Sequence, residues 1–419
     1  MDALTVLRRL TRFKPLLLLF MLFCAWPVVA GLYHMLTHGA WILMDIDAVL
    51  CGAKTLASGH SPYAIHPPSC GGNRPAAYVY APQVARLFVP FIDAFGVNGA
   101  RTLFLIVLLA PATLFLLWFA LVKRFDGIDI RWRWLAFAAL TPMTFVCANV
   151  GIVMHSMVLA SLFFFQPGQG AGPRTGHVAG DDRWRYARWP FTVTVLLCSC
   201  VKPTFLAYFV IFLLDDIALW RRGFAFGWRA VAGVAVNQIM ILTDGHYGKA
   251  WQKTLHSVTL ARQPGMGWFE LTNFVFHVPG KSDLNWQLAL GFMAVMTLAG
   301  MAIAHWGRMD DDERLLFGMG LVPLMTPRIL DYDMILIVPY AALLMAVAYR
   351  VGGGVFRFLL SWLFSGWMVW GILTYILHIE GWHRTPMAML LFGCLTVIVA
   401  LRAALSGVWP NRAQAGAAA

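Results

Sequence analysis

Two carboxylates, Asp45 and Asp47, stand two residues apart in Asp45-Ile46-Asp47. They directly precede Ala48–Ser58, a stretch with the make-up of a short amphipathic helix ending at Gly59. A carboxylate within hydrogen-bond reach of an attacking hydroxyl can take its proton as general base. A carboxylate in this position can also simply cap the helix that follows. Asp-x-Asp resembles a metal-binding pair, but two carboxylates alone fall well short of the oxygen ligands a hard cation needs. His246, His256, His277, His378 and His383 show no metal-ligand spacing, and read as residues of the membrane interface. No metal and no cofactor is expected.

A second group of charges lies far along the chain. Lys202 interrupts the apolar stretch from Trp189 to Leu214, and Arg328, Asp331 and Asp333 share Thr326-Pro327-Arg328-Ile329-Leu330-Asp331-Tyr332-Asp333 between two apolar runs. Ionisable residues next to or within apolar runs are costly and usually serve a pathway or a site. The plainer readings are a lysine snorkelling from a helix end and a local surface salt bridge. If Lys202 and Arg328 face carboxylates at one mouth, the pair suits an anionic phosphate ligand. There is no Walker loop and no Gly-x-Gly-x-x-Gly after a strand, and Gly352-Gly353-Gly354 falls in a short turn, which argues against a nucleotide-driven pump.

The elements that must position these residues are membrane helices. Of the 419 residues, 60% are apolar and 12% charged, against roughly a quarter charged in soluble domains. Apolar runs of spanning length predict an all-α, polytopic transmembrane bundle of about twelve segments, near 15–33, 101–122, 134–149, 151–166, 189–201, 203–216, 228–243, 286–306, 314–326, 331–349, 356–377 and 386–404. The whole chain, 1–419, reads as one membrane module. Val28-Val29-Ala30-Gly31 resembles a signal-peptide cleavage site, but the apolar run continues to Tyr33, so the segment reads as an uncleaved anchor. With a cytoplasmic N-terminus, 21 of the 32 Lys and Arg fall inside and 11 outside, the asymmetry of the positive-inside rule. The net charge of +12 is therefore topological, and nucleic acid is not an expected partner.

That topology leaves two large outer loops, 34–100 and 244–285, and a cytoplasmic linker, 167–188, rich in Gly, Arg and Asp. Loops of such length usually carry function. Gln83–Phe95 is apolar but interrupted by Arg86, Pro90 and Asp93, and reads as lying at the interface rather than crossing. Cys51 and Cys70 are the only two of seven cysteines placed in an outer loop, where a disulfide between them is permitted.

The order Asp45, then Ala53-Lys54-Thr55-Leu56-Ala57-Ser58-Gly59, Pro62-Tyr63 and Tyr80-Ala81-Pro82 resembles the first outer loop of glycosyltransferase family 87. This is a GT-C class family of polyprenyl-phosphate-sugar-dependent transferases that includes actinobacterial mannosyltransferases. Its pattern sets an Asp soon after the first helix, a Gly and Pro-Tyr about seventeen residues on, then an aromatic-Pro-Pro start. Pro62-Tyr63 is in register with Asp45 and two residues short from Asp47. Lys202-Pro203 resembles the family's mid-chain Lys-Pro, and Pro327-Arg328 with Asp331-Tyr332-Asp333 its late outer loop. The chain departs in having Ala81-Pro82 for Pro-Pro, and Asn149-Val150-Gly151-Ile152 where Gly-Gln is common.

The resemblance implies a GT-C-like fold and an inverting, metal-independent transfer of mannose or another sugar from a polyprenyl phosphate to an acceptor hydroxyl on the outer face. It implies Asp45 as base, with Lys202 and Arg328 on the leaving phosphate. Further substrate contacts are expected from Asp47, Tyr63, Tyr80, Asp331 and Asp333. The implied partners are the polyprenyl-phosphate sugar, a lipid or glycan acceptor and membrane lipids, in a bacterial inner membrane with both termini cytoplasmic. A lipid or solute transporter of the envelope is the alternative. Matched broken helices in inverted repeats would favour it, and the sequence shows no such symmetry.

Overall fold

A chain that passes through lipid must satisfy its backbone internally, and a mostly apolar sequence does this with helices. The computed structural model describes residues 1–37, 44–63, 70, 77–122, 125, 127–141, 144, 148–163, 188–260, 267–268, 271–272, 277, 283–326, 330–377 and 384–408. Among the described residues every regular element is helical and no strand occurs. In chain order they are α1 (Ala3–Leu10), α2 (Lys14–Cys24), α3 (Trp26–Thr37), α4 (Met44–Ala57), α5 (Pro82–Leu121), α6 (Ile130–Leu135), α7 (Val150–Phe163) and α8 (Trp189–Val201). Then follow α9 (Leu219–Thr243), α10 (Gly245–Leu260), α11 (Asp283–Trp306), α12 (Asp311–Met325), α13 (Ile337–Val351), α14 (Gly354–Ile376) and α15 (Arg384–Val408). Three 3₁₀ stretches, Ala136–Ala139, Pro203–Leu213 and Asp331–Leu336, lie between them.

Six of these helical stretches are long and apolar enough to cross a membrane: Pro82–Leu121, Leu219–Thr243, Asp283–Trp306, Tyr332–Val351, Gly354–Thr374 and Met389–Gly407. Lys14–Cys24, Val150–Phe163, Trp189–Val201 and Pro203–Leu213 are apolar but shorter. The outer faces of the long helices carry exposed Leu114, Val231, Leu242, Leu298 and Leu401. In water such a belt would drive aggregation, whereas lipid makes it an ordinary solvent contact. The protein is an all-helical membrane protein.

At the centre stands α13, buried without a break from 337 to 348 and packed against α12, α15, α6 and the 3₁₀ turn at 136–139. Gly320 allows α12 to lie directly on Tyr340, since a Cβ there would meet the Tyr340 side chain at 2.1 Å. α5 is two helices rather than one. It breaks at Gly96, whose φ of +66° is left-handed backbone that glycine adopts without strain. The part after the break, 97–121, is roughly 37 Å long at the helical rise, enough to span. The apolar stretch 82–95 is thus a separate short helix, with its end six residues before the start of the crossing expected from sequence at 101.

α8 and the 3₁₀ stretch Pro203–Leu213 form a hairpin. Phe191, near the start of one arm, meets Phe212, near the end of the other, with ring centroids 5.8 Å apart. Arg188 and Asp215, both buried, close the open end through an ion pair of 2.7 Å. Lys202 is the tip. Pro203 has no N–H to continue α8 and disfavours helical backbone in the residue before it. Lys202 is accordingly extended, with φ −143° and ψ 104°. Each arm is only about 20 Å long, short of a full crossing. The base of the hairpin belongs to the bundle end that also holds Arg314–Asp216, Arg350–Glu313 and Arg8–Asp129. Its tip belongs to the end where α4 begins.

Candidate functional site

Asp45 and Asp47 both lie in the first turn of α4, where the helix dipole favours negative charge. Two residues apart on a helix means opposite sides of the axis, and the two carboxylates have separate partners. Asp45 Oδ2 accepts a hydrogen bond of 2.9 Å from Asn149 Nδ2. The Asn149 amide is turned that way because its Oδ1 accepts from the Gly151 N–H at 2.7 Å, at the start of α7. Asp47 instead accepts from Arg101 Nε at 2.8 Å, with side-chain exposures of 2% and 11%. Arg101 also donates to Asn98 Oδ1 at 3.0 Å. Burial raises the Asp47 carboxyl above the ordinary carboxylate range, while Arg101 acts in the other direction.

Tyr80 reaches the same place from the stretch after α4. The Tyr63 hydroxyl donates to the Tyr80 carbonyl at 2.9 Å, and the Tyr78 hydroxyl to the Ala81 carbonyl at 2.7 Å. The three rings follow one another at 5.4 and 5.8 Å. Tyr78 lies flat on α4 at Gly52, where a Cβ would come within 2.5 Å of the ring. From α10, the buried Trp251 donates its indole N–H to the Val79 carbonyl at 3.1 Å. A disulfide joins Cys51, in the middle of α4, to Cys70. The Tyr80 phenol is pushed well up by burial and further by the Asp45 carboxylate, with the Asn149 side chain acting in the other direction. It therefore stays protonated beside Asp45.

At the hairpin tip, Lys202 Nζ donates to the Tyr332 hydroxyl at 2.8 Å, lies 4.5 Å over that ring, and is 3.8 Å from Asp333 Oδ1. The same Asp333 oxygen bonds His155 Nε2 at 2.8 Å, and Oδ2 accepts from the Leu330 N–H at 3.0 Å. His155 Nδ1 lies 2.5 Å from the Tyr208 hydroxyl, and its ring stacks on Phe205 at 4.8 Å. Lys202, His155, Asp333, Thr204 and Thr326 line a small cavity with room for about one water molecule. The two halves meet at Gly151. A Cβ there would lie 2.8 Å from Asn149 Oδ1 and 3.1 Å from the Tyr332 ring.

The structure thus brings Asp45, Tyr80, Lys202 and Asp333 into one contiguous polar cluster, with Tyr63 holding the backbone that carries Tyr80. Asp47 is turned away into its pair with Arg101. Arg328 and the side chain of Asp331 lie outside the described residues. Asn149, Tyr332 and His155 complete the cluster. His155 is the only titratable residue in the apolar run 150–163, which was its one signal in the sequence. Among the described residues no group of three or more His, Cys, Asp or Glu is placed to hold a metal ion.

Chemically, the cluster offers a half-buried carboxylate oriented by an amide, a neutral phenol, and an ammonium at the edge of a cavity. The carboxylate and the ammonium sit on opposite sides of Gly151. Comparison of the chain with protein-family models, with curated proteins and with solved structures finds no match in any of the three.

Proposed function

We propose that this protein is a membrane glycosyltransferase of the GT-C kind, moving a sugar from a polyprenyl phosphate to an acceptor hydroxyl with inversion. The observation that carries the reading is the joining of Asp45 and Lys202, 157 positions apart, into one cluster through Asn149, Gly151 and Tyr332. In this reading Asp45 takes the proton of the acceptor hydroxyl as its oxygen attacks the anomeric carbon. The bond from that carbon to the phosphate oxygen breaks with its electron pair, and the lipid phosphate leaves with one more negative charge. Lys202 meets that charge, with Arg328 as the second cation. The cavity at Lys202 is narrow, so admission of the donor widens it.

The proposal extends to twelve crossings, the six long helices supplemented by shorter and broken ones, with the Asp45–Lys202 end facing outward. Two features support that orientation: the 21-to-11 division of Lys and Arg, and the Cys51–Cys70 disulfide beside the cluster, a bond favoured in oxidising compartments. A bacterial inner membrane fits the resemblance. The test is purified protein in nanodiscs with radiolabelled polyprenyl-phosphate mannose and a cell-envelope extract as acceptor source. ATP-independent movement of label to an acceptor is the expected result. Scrambling of the lipid without transfer would make the protein a transporter.

A further inference from the structure

Asp333 has both carboxylate oxygens engaged, Oδ2 by the Leu330 N–H and Oδ1 by His155 Nε2. Two fixed donors on opposite oxygens lock the rotation of the carboxylate. Lys202 shares Oδ1 but stands at 3.8 Å, beyond a hydrogen bond, and one of its three N–H donors goes to Tyr332 instead. The ammonium stands at the cavity wall, paired with Asp333 at 3.8 Å but without a hydrogen bond to it. His155 is itself set in place by the Tyr208 hydroxyl on its other nitrogen and by the Phe205 ring beneath it.

We infer that His155 is a positioning residue for an anionic ligand: by holding Asp333 Oδ1 it keeps the 3.8 Å ion pair with Lys202 from tightening into a hydrogen bond, and so leaves the ammonium for a phosphate group in the cavity. Without the imidazole, Asp333 keeps one backbone donor and takes Lys202 as its side-chain partner. A phosphate then has to break a contact between charged groups before it can bind, and such contacts are worth more than neutral hydrogen bonds. The cost falls on affinity for the phosphate, whether it arrives on the donor or remains on the product lipid.

This inference rests on the phosphate-binding role of Lys202 in the proposed function, and the experiment separates the two. The probe is a short-chain polyprenyl phosphate titrated against protein in nanodiscs, with thermal melting recorded for each variant. His155→Phe keeps the ring on Phe205 but removes both hydrogen bonds, and is expected to weaken binding about tenfold, the equivalent of one charge-assisted hydrogen bond. His155→Gln, which still donates to Asp333, is expected to restore most of that loss. His155→Phe combined with Asp333→Asn is expected to bind better than His155→Phe alone, because the amide does not capture the ammonium. A purely structural histidine would instead give additive or worse loss in the double variant. Binding abolished by Lys202→Met but unchanged in His155→Phe would overturn the inference and leave the transferase reading standing. Absence of binding by the unmodified protein would overturn both.

Discussion

At the scale of single residues, the two aspartates at the start of α4 share a residue type and a helix turn but differ in environment. Asp45 is half-buried, receives the Asn149 amide, and lies beside a protonated Tyr80. Asp47 is sealed against Arg101. Asp45→Asn keeps shape and keeps a hydrogen-bonding partner for Asn149 but removes the proposed base. Turnover with a polyprenyl-phosphate sugar is expected to fall by about 10²–10⁴, with donor binding retained. Unimpaired turnover would remove the base assignment. Asp47→Asn is expected to act on stability instead. An uncompensated buried cation costs about 3–5 kcal/mol, and the amide retains one hydrogen bond to Arg101, so the loss falls near about 3 kcal/mol. A lower melting temperature with near-normal turnover of the surviving folded fraction is the expected pattern. Asp45 stood out in the sequence because it precedes a short amphipathic helix and, in the family resemblance, keeps register with Pro62-Tyr63. The partner of Asp47 was not, because Arg101 lies 54 positions away at the head of another helix and its charge alone says nothing of direction.

At the scale of elements, the site is held by close approaches that glycines allow and by a covalent tie. Gly151 is the clearest, since α7 begins there between Asn149 and the 3₁₀ turn carrying Tyr332. Gly151→Ala puts a methyl group against Asn149 Oδ1 and the Tyr332 ring, so one side of the cluster has to move. Misplacement of reacting groups by about 1 Å can cost 10²-fold, and a loss of that order in turnover with little change in melting temperature is expected. Wild-type turnover by Gly151→Ala would show that the two halves of the cluster do not work as one. The Cys51–Cys70 disulfide closes a loop with a sequence separation of 19, worth about 3 kcal/mol in the chain-entropy account. Reduction is therefore expected to lower the melting temperature, and alkylation without reductant to leave both residues unlabelled. The hairpin tip at Lys202 was legible because Pro203 follows it. The 3₁₀ winding of Pro203–Leu213 was not, since its composition is that of any buried apolar helix. His155 was present in the sequence as a lone titratable residue within an apolar run, but its role depends on Tyr208 and Asp333, which only the packing of three elements brings to it.

At the scale of the whole molecule, the charged pairs sort to the two ends of the bundle. Arg8–Asp129, Arg314–Asp216 and Arg350–Glu313 mark one end, while Asp45, Lys202, Arg86–Asp244 and the disulfide mark the other. The apolar runs and the asymmetry of Lys and Arg along the chain made the all-helical membrane class legible from sequence. Which runs are full crossings was less so, because kinked and paired short helices such as 82–121 and the Lys202 hairpin do not follow a count of apolar residues. The orientation can be tested without any assay of activity. Lys253, exposed on α10, belongs to the Lys202 end, since the buried Trp251 of the same helix bonds Val79. Arg9, exposed on α1, neighbours Arg8 at the opposite end. In intact cells a membrane-impermeant maleimide is expected to label Lys253→Cys and to reach Arg9→Cys only after permeabilisation, with the parent chain, whose Cys394 is exposed, setting the background. The reverse pattern would turn the Lys202 end inward. It would place Asp45 on the cytoplasmic side and remove outer-face transfer from the proposed function.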